Sequence, residues 1–369
     1  MKPKRRNGTV DLLKFLFTIM IMLFHCGRGF PGGYIAVEFF FIVSGYLMAK
    51  STGKRMKNGL SIGKDTFSFV LHKAKGIFPV YLTAWLMAFG IHQYVINASG
   101  SDIGMALYRS PFNILMMQMC GNYEMGYRIG GSWYVSAMLL AMLLIYPVRK
   151  KKPDLFDHVI APIVVLLFAG YVYQYGKGIS MTVHYLSDLY LYNGLFRAIA
   201  EISLGCFCYA MGQRLVKTEF TLPGRCIISI IELGGYVLVG WMAWEYAGTD
   251  KDLVHMLVLA LSVTLSFSAK GIHAVLFRGT FFSYLGQFGL CMYLTHGSVM
   301  NDIIPYLRKR PAIAEYLASS DGAYLLVYFG LTLLLSVLCY FVGKLMSRIG
   351  LALKKFVCTK LVKKADPVS

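Results

Sequence analysis

Charge is what this 369-residue chain has least of: Asp, Glu, Lys and Arg together make up 15% of it. Soluble domains carry about a quarter, so a single soluble globular domain is excluded. Acids are the scarcer kind, 18 against 37 Lys and Arg, for a net charge of +19. The eight cysteines contain no C-x-x-C pair. The lone Cys206-x-Cys208 would point its thiols in different directions on a helix and has no clustered His partners, so no metal site is expected. No G-x-S-x-G elbow occurs, which removes an α/β-hydrolase-type serine nucleophile. The first apolar run lacks a small-residue cleavage site after it and is interrupted by Lys14 and His25. It reads as a retained helix and not a removed signal peptide.

What the chain does have is apolar length. Hydrophobic residues make up 57% of it and the mean hydropathy is +0.57. The fold class is therefore all-α, a polytopic integral membrane helix bundle. About ten transmembrane helices are expected, near 10–26, 33–50, 77–97, 131–148, 159–176, 192–213, 226–246, 252–270, 281–304 and 322–346. The stretch 112–121 is too short to span and is expected to lie in the interface or to dip in and out. Residues 1–350 form one transmembrane domain and 351–369 a basic cytoplasmic tail.

Loop charge tests this layout independently. With the N-terminus inside, inner segments hold 27 of the 37 Lys and Arg and outer segments hold 8, while Lys14 and Arg197 fall within spans. That asymmetry is what the positive-inside rule expects of an even number of spans with both termini cytoplasmic. Topology and anionic membrane lipids account for most of the net charge, and no nucleic-acid partner is needed. The expected location is the plasma membrane.

The stretch from Lys14 to Ser51 concentrates the ionisable groups. Lys14 and His25 are eleven residues apart, close to three full turns, which puts them on one helix face roughly 16 Å apart. Lys14 fits either a snorkelling lysine or a functional cation, and His25 either a wet helix-end residue or a base. A turn at Asn7-Gly8 and an N-cap at Thr9 precede this helix. After the Gly-rich link carrying Arg28, Glu38 returns at a depth similar to His25, and its nearest candidate partners are His25 and Arg28. A carboxylate on one imidazole nitrogen would raise the basicity of the other, a general-base arrangement.

This stretch resembles acyltransferase family 3, membrane proteins that acylate cell-surface glycans in bacteria. The resemblance rests on Lys14, ten residues, His25, then Gly33, Ala36, Val37, Glu38, Phe40, Phe41, Ser44, Gly45, Tyr46 and Leu47. It continues in order with HKAKGIFPVY (Lys73, Lys75, Pro79, Tyr81), GSWYVSAML (Trp133, Ser136), RAIAEISLGCFCY (Arg197) and LGQFGLCMYLTHG (Tyr293, His296). Lys14 stands where the family usually has Arg, which keeps the charge but not a bidentate fork.

The resemblance implies an acyl donor on the cytoplasmic side, usually acetyl-CoA, and a carbohydrate hydroxyl acceptor on the outer side. No permanently bound cofactor is expected. Lys54, Arg55, Lys73 and Lys75 in the basic inner segment 50–75 suit the CoA phosphates, with Tyr81 beside them, although a plain positive-inside loop would look the same. His25 would act as general base, with Lys14 and Glu38 assisting. Arg28, Trp133, Arg197, Glu201, Tyr293 and His296 are candidates for the supporting or acceptor side. Arg197 and Glu201, four residues apart, equally suit a structural pair. The outer stretch 98–130, with Tyr108, Arg109, Asn122, Tyr123, Glu124 and Tyr127, has groups suited to sugars. His92, His184, His255 and His273 carry no constellation. A second extracytoplasmic protein, if transfer needs one, would be separate. The competing class is a glycan-unit exporter or flippase component, whose in-membrane polar residues would line a path.

Overall fold

In a computed structural model of the chain, the structure describes residues 7–55, 60–120, 126–175, 178–179, 192–249 and 251–365. It is helical, with no strand among the described residues. The principal helices are α1 (Gly8–His25), α2 (Ala36–Arg55), α3 (Ile62–Val95), α4 (Gly100–Tyr108), α5 (Trp133–Lys151), α6 (Ala161–Tyr175), α7 (Asn193–Lys217), α8 (Leu222–Glu245), α9 (Asp252–Ser268), α10 (Thr280–Ser298), α11 (Pro311–Ser319) and α12 (Asp321–Ala365).

Among the described residues, seven helices are long and apolar enough to cross a membrane: α1, α2, α3, α6 with the turn before it, α7, α8 and α12. The other three expected spans coincide with α5, α9 and α10, of 19, 17 and 19 residues. α9 is apolar but short, while α5 and α10 carry polar cargo. α5 ends in Arg149, Lys150 and Lys151, and α10 carries Ser283, Gln287, Tyr293 and His296.

Two elements differ from expectation. α1 is capped by Asn7, whose side chain accepts from the Val10 N–H at 3.2 Å, and Thr9 already lies inside the helix. The segment read as a basic inner loop is mostly helix, because α3 begins at Ile62 and runs 34 residues, about 51 Å, well beyond a hydrocarbon core of about 30 Å. Asp65 in its first turn gives that extension an anchor: it is fully buried and takes hydrogen bonds from Tyr146 and Lys150, both at 2.6 Å.

α2 and α7 lie at the centre, with 72% and 67% of their spanning windows buried against 22% for α12. They cross closely because glycines meet there. A Cβ on Gly45 would run into the Ile202 carbonyl, and one on Gly205 into the Ile42 carbonyl. Around this pair, α5, α6 and α9 pack on α7, while α1 packs on α10, and α10 on α12 and α3. The short stretch 111–120 does tuck into the bundle. Tyr81 donates to the Asn113 carbonyl (2.6 Å), Gln118 to Ser132 (2.6 Å), and the Met119 N–H to Ser136 (3.0 Å).

The alternation of helices brings particular ends together. The C-terminal ends of α1 and α10 and the N-terminal ends of α2, α5, α7 and α9 share one end of the bundle, the outer one by the charge asymmetry. The start of α1 and the basic first half of α3 lie toward the other.

Candidate active site

Arg197, one turn into α7, is the hub of the outer end. Buried among apolar helices, its guanidinium must be fully bonded to be tolerated. It donates from Nη2 to Glu38 Oε1 at 2.5 Å and to the Tyr34 carbonyl at 3.1 Å, from Nε to Glu201 Oε1 at 3.0 Å, and from Nη1 to the Ile179 carbonyl at 3.4 Å. The same guanidinium lies 5.8 Å from the Trp133 ring centre. Glu38 and Glu201 are both fully buried, and the second oxygen of each has no protein partner among the described residues.

A further carboxylate adjoins this group. Asp252, at the start of α9, accepts from the Tyr34 hydroxyl (2.8 Å) and the Ile179 N–H (2.9 Å), and the Tyr34 hydroxyl accepts from the Gly248 N–H (2.6 Å). His255 Nδ1 stands 3.9 Å from the other Asp252 oxygen. Three helices, α2, α7 and α9, are thereby tied at one depth by a network that needs every member in place.

From Trp133 an aromatic wall leads to the end of α1. Phe41 contacts both Trp133 and Tyr134. Tyr134 lies 6.0 Å from Phe40 and 6.2 Å from Tyr293, and Tyr293 lies 5.9 Å from His296. The Tyr293 hydroxyl is anchored on the Gly131 carbonyl at 2.6 Å. His296 is buried, and its Nδ1 meets the Tyr293 carbonyl at 2.7 Å. That carbonyl can only accept, so Nδ1 carries the proton and Nε2 of a neutral ring is left as the acceptor. The His25 ring lies against it, with centroids 5.2 Å apart at 34°. His25 itself is exposed at the end of α1, and no described residue hydrogen-bonds its imidazole. The outer end thus offers an open imidazole, a sealed one behind it, and a wall of rings.

A family model described as an acyltransferase domain matches residues 7–341, nearly the whole chain. The chain belongs to acyltransferase family 3. No curated protein and no solved structure matches it.

For this membrane acyltransferase the structure sorts the residues singled out from sequence into three groups. His25, Trp133, Arg197, Glu201, Glu38, Tyr293 and His296 gather at the outer end. Lys14 lies toward the opposite end of α1, 3.4 Å from Asp11, which is held by Ser283 of α10. Asp11, the partner of Lys14, lies against Gly286 of α10 and Thr18 lies against Gly289, so Lys14, Thr18 and His25 share the side of α1 that meets α10. Lys73 and Lys75 ride on α3 and not on a loop. Two residues apart, they point to different sides, Lys73 half-buried over the Phe69 ring at 5.7 Å and Lys75 exposed. The side chains of Lys54 and Arg55, and residues Asn122, Tyr123, Glu124 and His184, fall outside the described residues.

Three expectations need correction. Glu38 pairs with Arg197 and not with His25 or Arg28, because one buried guanidinium can serve two carboxylates while His25 lies at the exposed end of α1. Among the described residues, no carboxylate orients the His25 ring. Arg28 pairs instead with Asp321 at the start of α12. Tyr81 is fully buried and donates to the Asn113 carbonyl, so it positions the tucked stretch. Histidines read as solitary do have carboxylate partners: His92 with Asp302 at 2.7 Å, His273 with Glu232 at 3.0 Å, and His255 near Asp252. Those of His92 and His273 lie 210 and 41 residues away, beyond any local pattern. Tyr34 and Asp252 were missed for the same reason. The acidic first turn of an apolar helix was the one signal that pointed to Asp252. Among the described residues, no group of His, Cys, Asp and Glu could hold a metal ion.

Proposed function

We propose that the protein moves an acetyl or similar short acyl group from a cytoplasmic acyl-CoA to a hydroxyl of an extracytoplasmic or lipid-linked glycan, with His25 as general base, in the plasma membrane. The observation that carries this reading is the open His25 imidazole lying against buried His296 at the end of the bundle opposite Lys14. A base has to present a nitrogen that the protein has not already used, and His25 does.

In this reading the CoA phosphates bind at the basic inner side, where Lys14, Lys73 and Lys75 lie, and the acyl-bearing arm enters the bundle and brings the thioester toward His25, about 16 Å from Lys14. The His25 imidazole takes the proton of the sugar hydroxyl as that oxygen attacks the thioester carbonyl. The C–S bond then breaks and the imidazolium returns the proton to the departing sulfur. His296, its Nδ1 held by Tyr293, backs the His25 ring and limits its rotation. The rings of Trp133, Tyr134 and Tyr293 give the sugar apolar faces. Arg197 holds α2 against α7 and fixes this wall; it is a positioning residue.

Mass spectrometry of surface glycans tests the reading. Cells carrying His25→Ala in place of the native protein are expected to export the same quantity of glycan with the acyl mass increment absent. Loss of the surface glycan itself would instead mark an exporter and sink the proposal. Labelled acetyl-CoA is also expected to bind from the cytoplasmic face and to weaken as salt rises.

A further inference from the structure

Outer loops of a membrane protein are poor in Lys and Arg, and this chain has only eight such residues there. Four of the eight, Arg28, Arg308, Lys309 and Arg310, come from two short stretches. Arg28 follows His25 by three residues, and the other three follow α10. The fold brings the two stretches together on one ring. The Arg28 guanidinium carbon lies 4.8 Å from the Tyr324 ring centre and that of Arg308 lies 5.6 Å from it. Tyr324 is itself buried, so the ring is a fixed platform.

Two like charges held on one ring repel each other unless an anion joins them. Within the protein that anion is Asp321, ion-paired to Arg28. Its side chain is 69% exposed, whereas that of Arg28 is 31% exposed. The carboxylate therefore reaches the guanidinium from the solvent side, where an incoming anion can take its place. Across the Arg28 link and the segment from the end of α10 to the first residue of α12, the four cations stand against three acids, Asp302, Glu315 and Asp321, of which Asp302 is taken up by His92.

We propose that Arg28, Arg308 and Tyr324 form an anion subsite for the acceptor, and that the glycan acylated at His25 bears a phosphate or carboxylate near the reacting hydroxyl. The inference rests on the acyl-acceptor reading above and narrows it to anionic glycans. Guanidinium forks suit both phosphate and carboxylate oxygens, and the buried ring between them orients the pair. Only Cys26 and Gly27 separate Arg28 from the proposed base along the chain, which suits one sugar spanning both. A headgroup of an anionic lipid shares the phosphate chemistry, but it has no reason to be gathered beside His25.

The test is acceptor binding by the full chain in nanodiscs of neutral phosphatidylcholine, without acyl-CoA. The probes are a glycerol-phosphate hexamer and a galacturonate hexamer, with neutral maltohexaose for comparison. At least one anionic probe is expected to bind about tenfold or more tighter than maltohexaose, and to weaken with salt. Arg28→Gln and Arg308→Gln should each lose most of that advantage, while Asp321→Asn, which removes the competing carboxylate, should tighten binding. Acetyl-CoA affinity should be unchanged in all three variants, which shows that they are folded. Equal binding of charged and neutral probes, or unchanged anion affinity in both arginine variants, overturns the proposal. So does loss of probe binding in nanodiscs containing phosphatidylglycerol, since the lipid would then be the occupant. Because the readout is binding and not transfer, a protein that binds the anionic probe through Arg28 and Arg308 yet acylates no glycan would refute the enzymatic reading and leave the subsite standing.

Discussion

Replacing Arg197 with Met isolates the contribution of the buried network. The substitution leaves Glu38 and Glu201, both fully buried, without the one cation that bonds them at 2.5 and 3.0 Å. Two charge-assisted hydrogen bonds at about 1.5–3 kcal/mol each put the loss near ~3–6 kcal/mol. The measured cost of breaking a buried ion pair, about 3–5 kcal/mol, falls in the same range. That corresponds to roughly two to four powers of ten in the folded-to-unfolded ratio. The assay is thermal or denaturant unfolding of the purified protein in detergent, followed by tryptophan fluorescence, which Trp133 beside Arg197 makes sensitive to this region. The neutral triple variant Arg197→Met, Glu38→Gln, Glu201→Gln is expected to recover most of the loss, because it leaves no unpaired charge behind. If Arg197→Met unfolds at the wild-type midpoint, or the triple variant is no better than the single one, the network does not hold α2 against α7.

Gly45→Val should cost about 1–3 kcal/mol by overpacking the α2–α7 crossing, read as a lower unfolding midpoint, since its added carbons meet the Ile202 backbone and not a side chain that can turn away. Asp302→Ala strips His92 of its 2.7 Å partner; with Asp302 largely buried the expected loss is about 1–3 kcal/mol, again by unfolding. At the start of α4, outside the membrane, Ser99 donates to Asp102 from its hydroxyl (2.6 Å) and N–H (3.0 Å), and these bonds hold the Asp102 carboxyl below its ordinary range. A depressed carboxyl lends its support above the ordinary value of about 3.9 and loses it as pH falls through its own lower value. Amides of Gly100–Tyr108 are therefore expected to lose hydrogen-exchange protection in strongly acidic buffer, and Ser99→Ala, which removes the hydroxyl bond and keeps the N–H one, to weaken that pH dependence.

Much of this arrangement was legible in the residues. Hydropathy and loop charge placed all ten expected spans on helices of the structure, and the eleven-residue spacing put Lys14 and His25 on the face of α1 that meets α10. The Arg197–Glu201 pair followed from a four-residue spacing. The third member, Glu38, was recognised as costly in the membrane, but its partner was sought nearby in sequence. Arg197 lies 159 residues on, and only the α2–α7 crossing brings it close. Local pattern reading finds a buried charge and cannot say which distant helix neutralises it. The inner segment was misjudged for a different reason. Its lysines suggested a loop, yet hydropathy says little about where a helix ends once it leaves the hydrocarbon, and buried Asp65 extends α3 by several turns.

The central claim is that the open imidazole at the end of α1 takes the acceptor's proton, and a single-turnover transfer experiment tests it most directly. Full-length protein in nanodiscs, loaded with labelled acetyl-CoA and given the glycan acceptor, is expected to transfer label roughly a hundred- to ten-thousand-fold more slowly after His25→Ala, with donor affinity unchanged. Transfer by that variant at the wild-type rate would contradict the account.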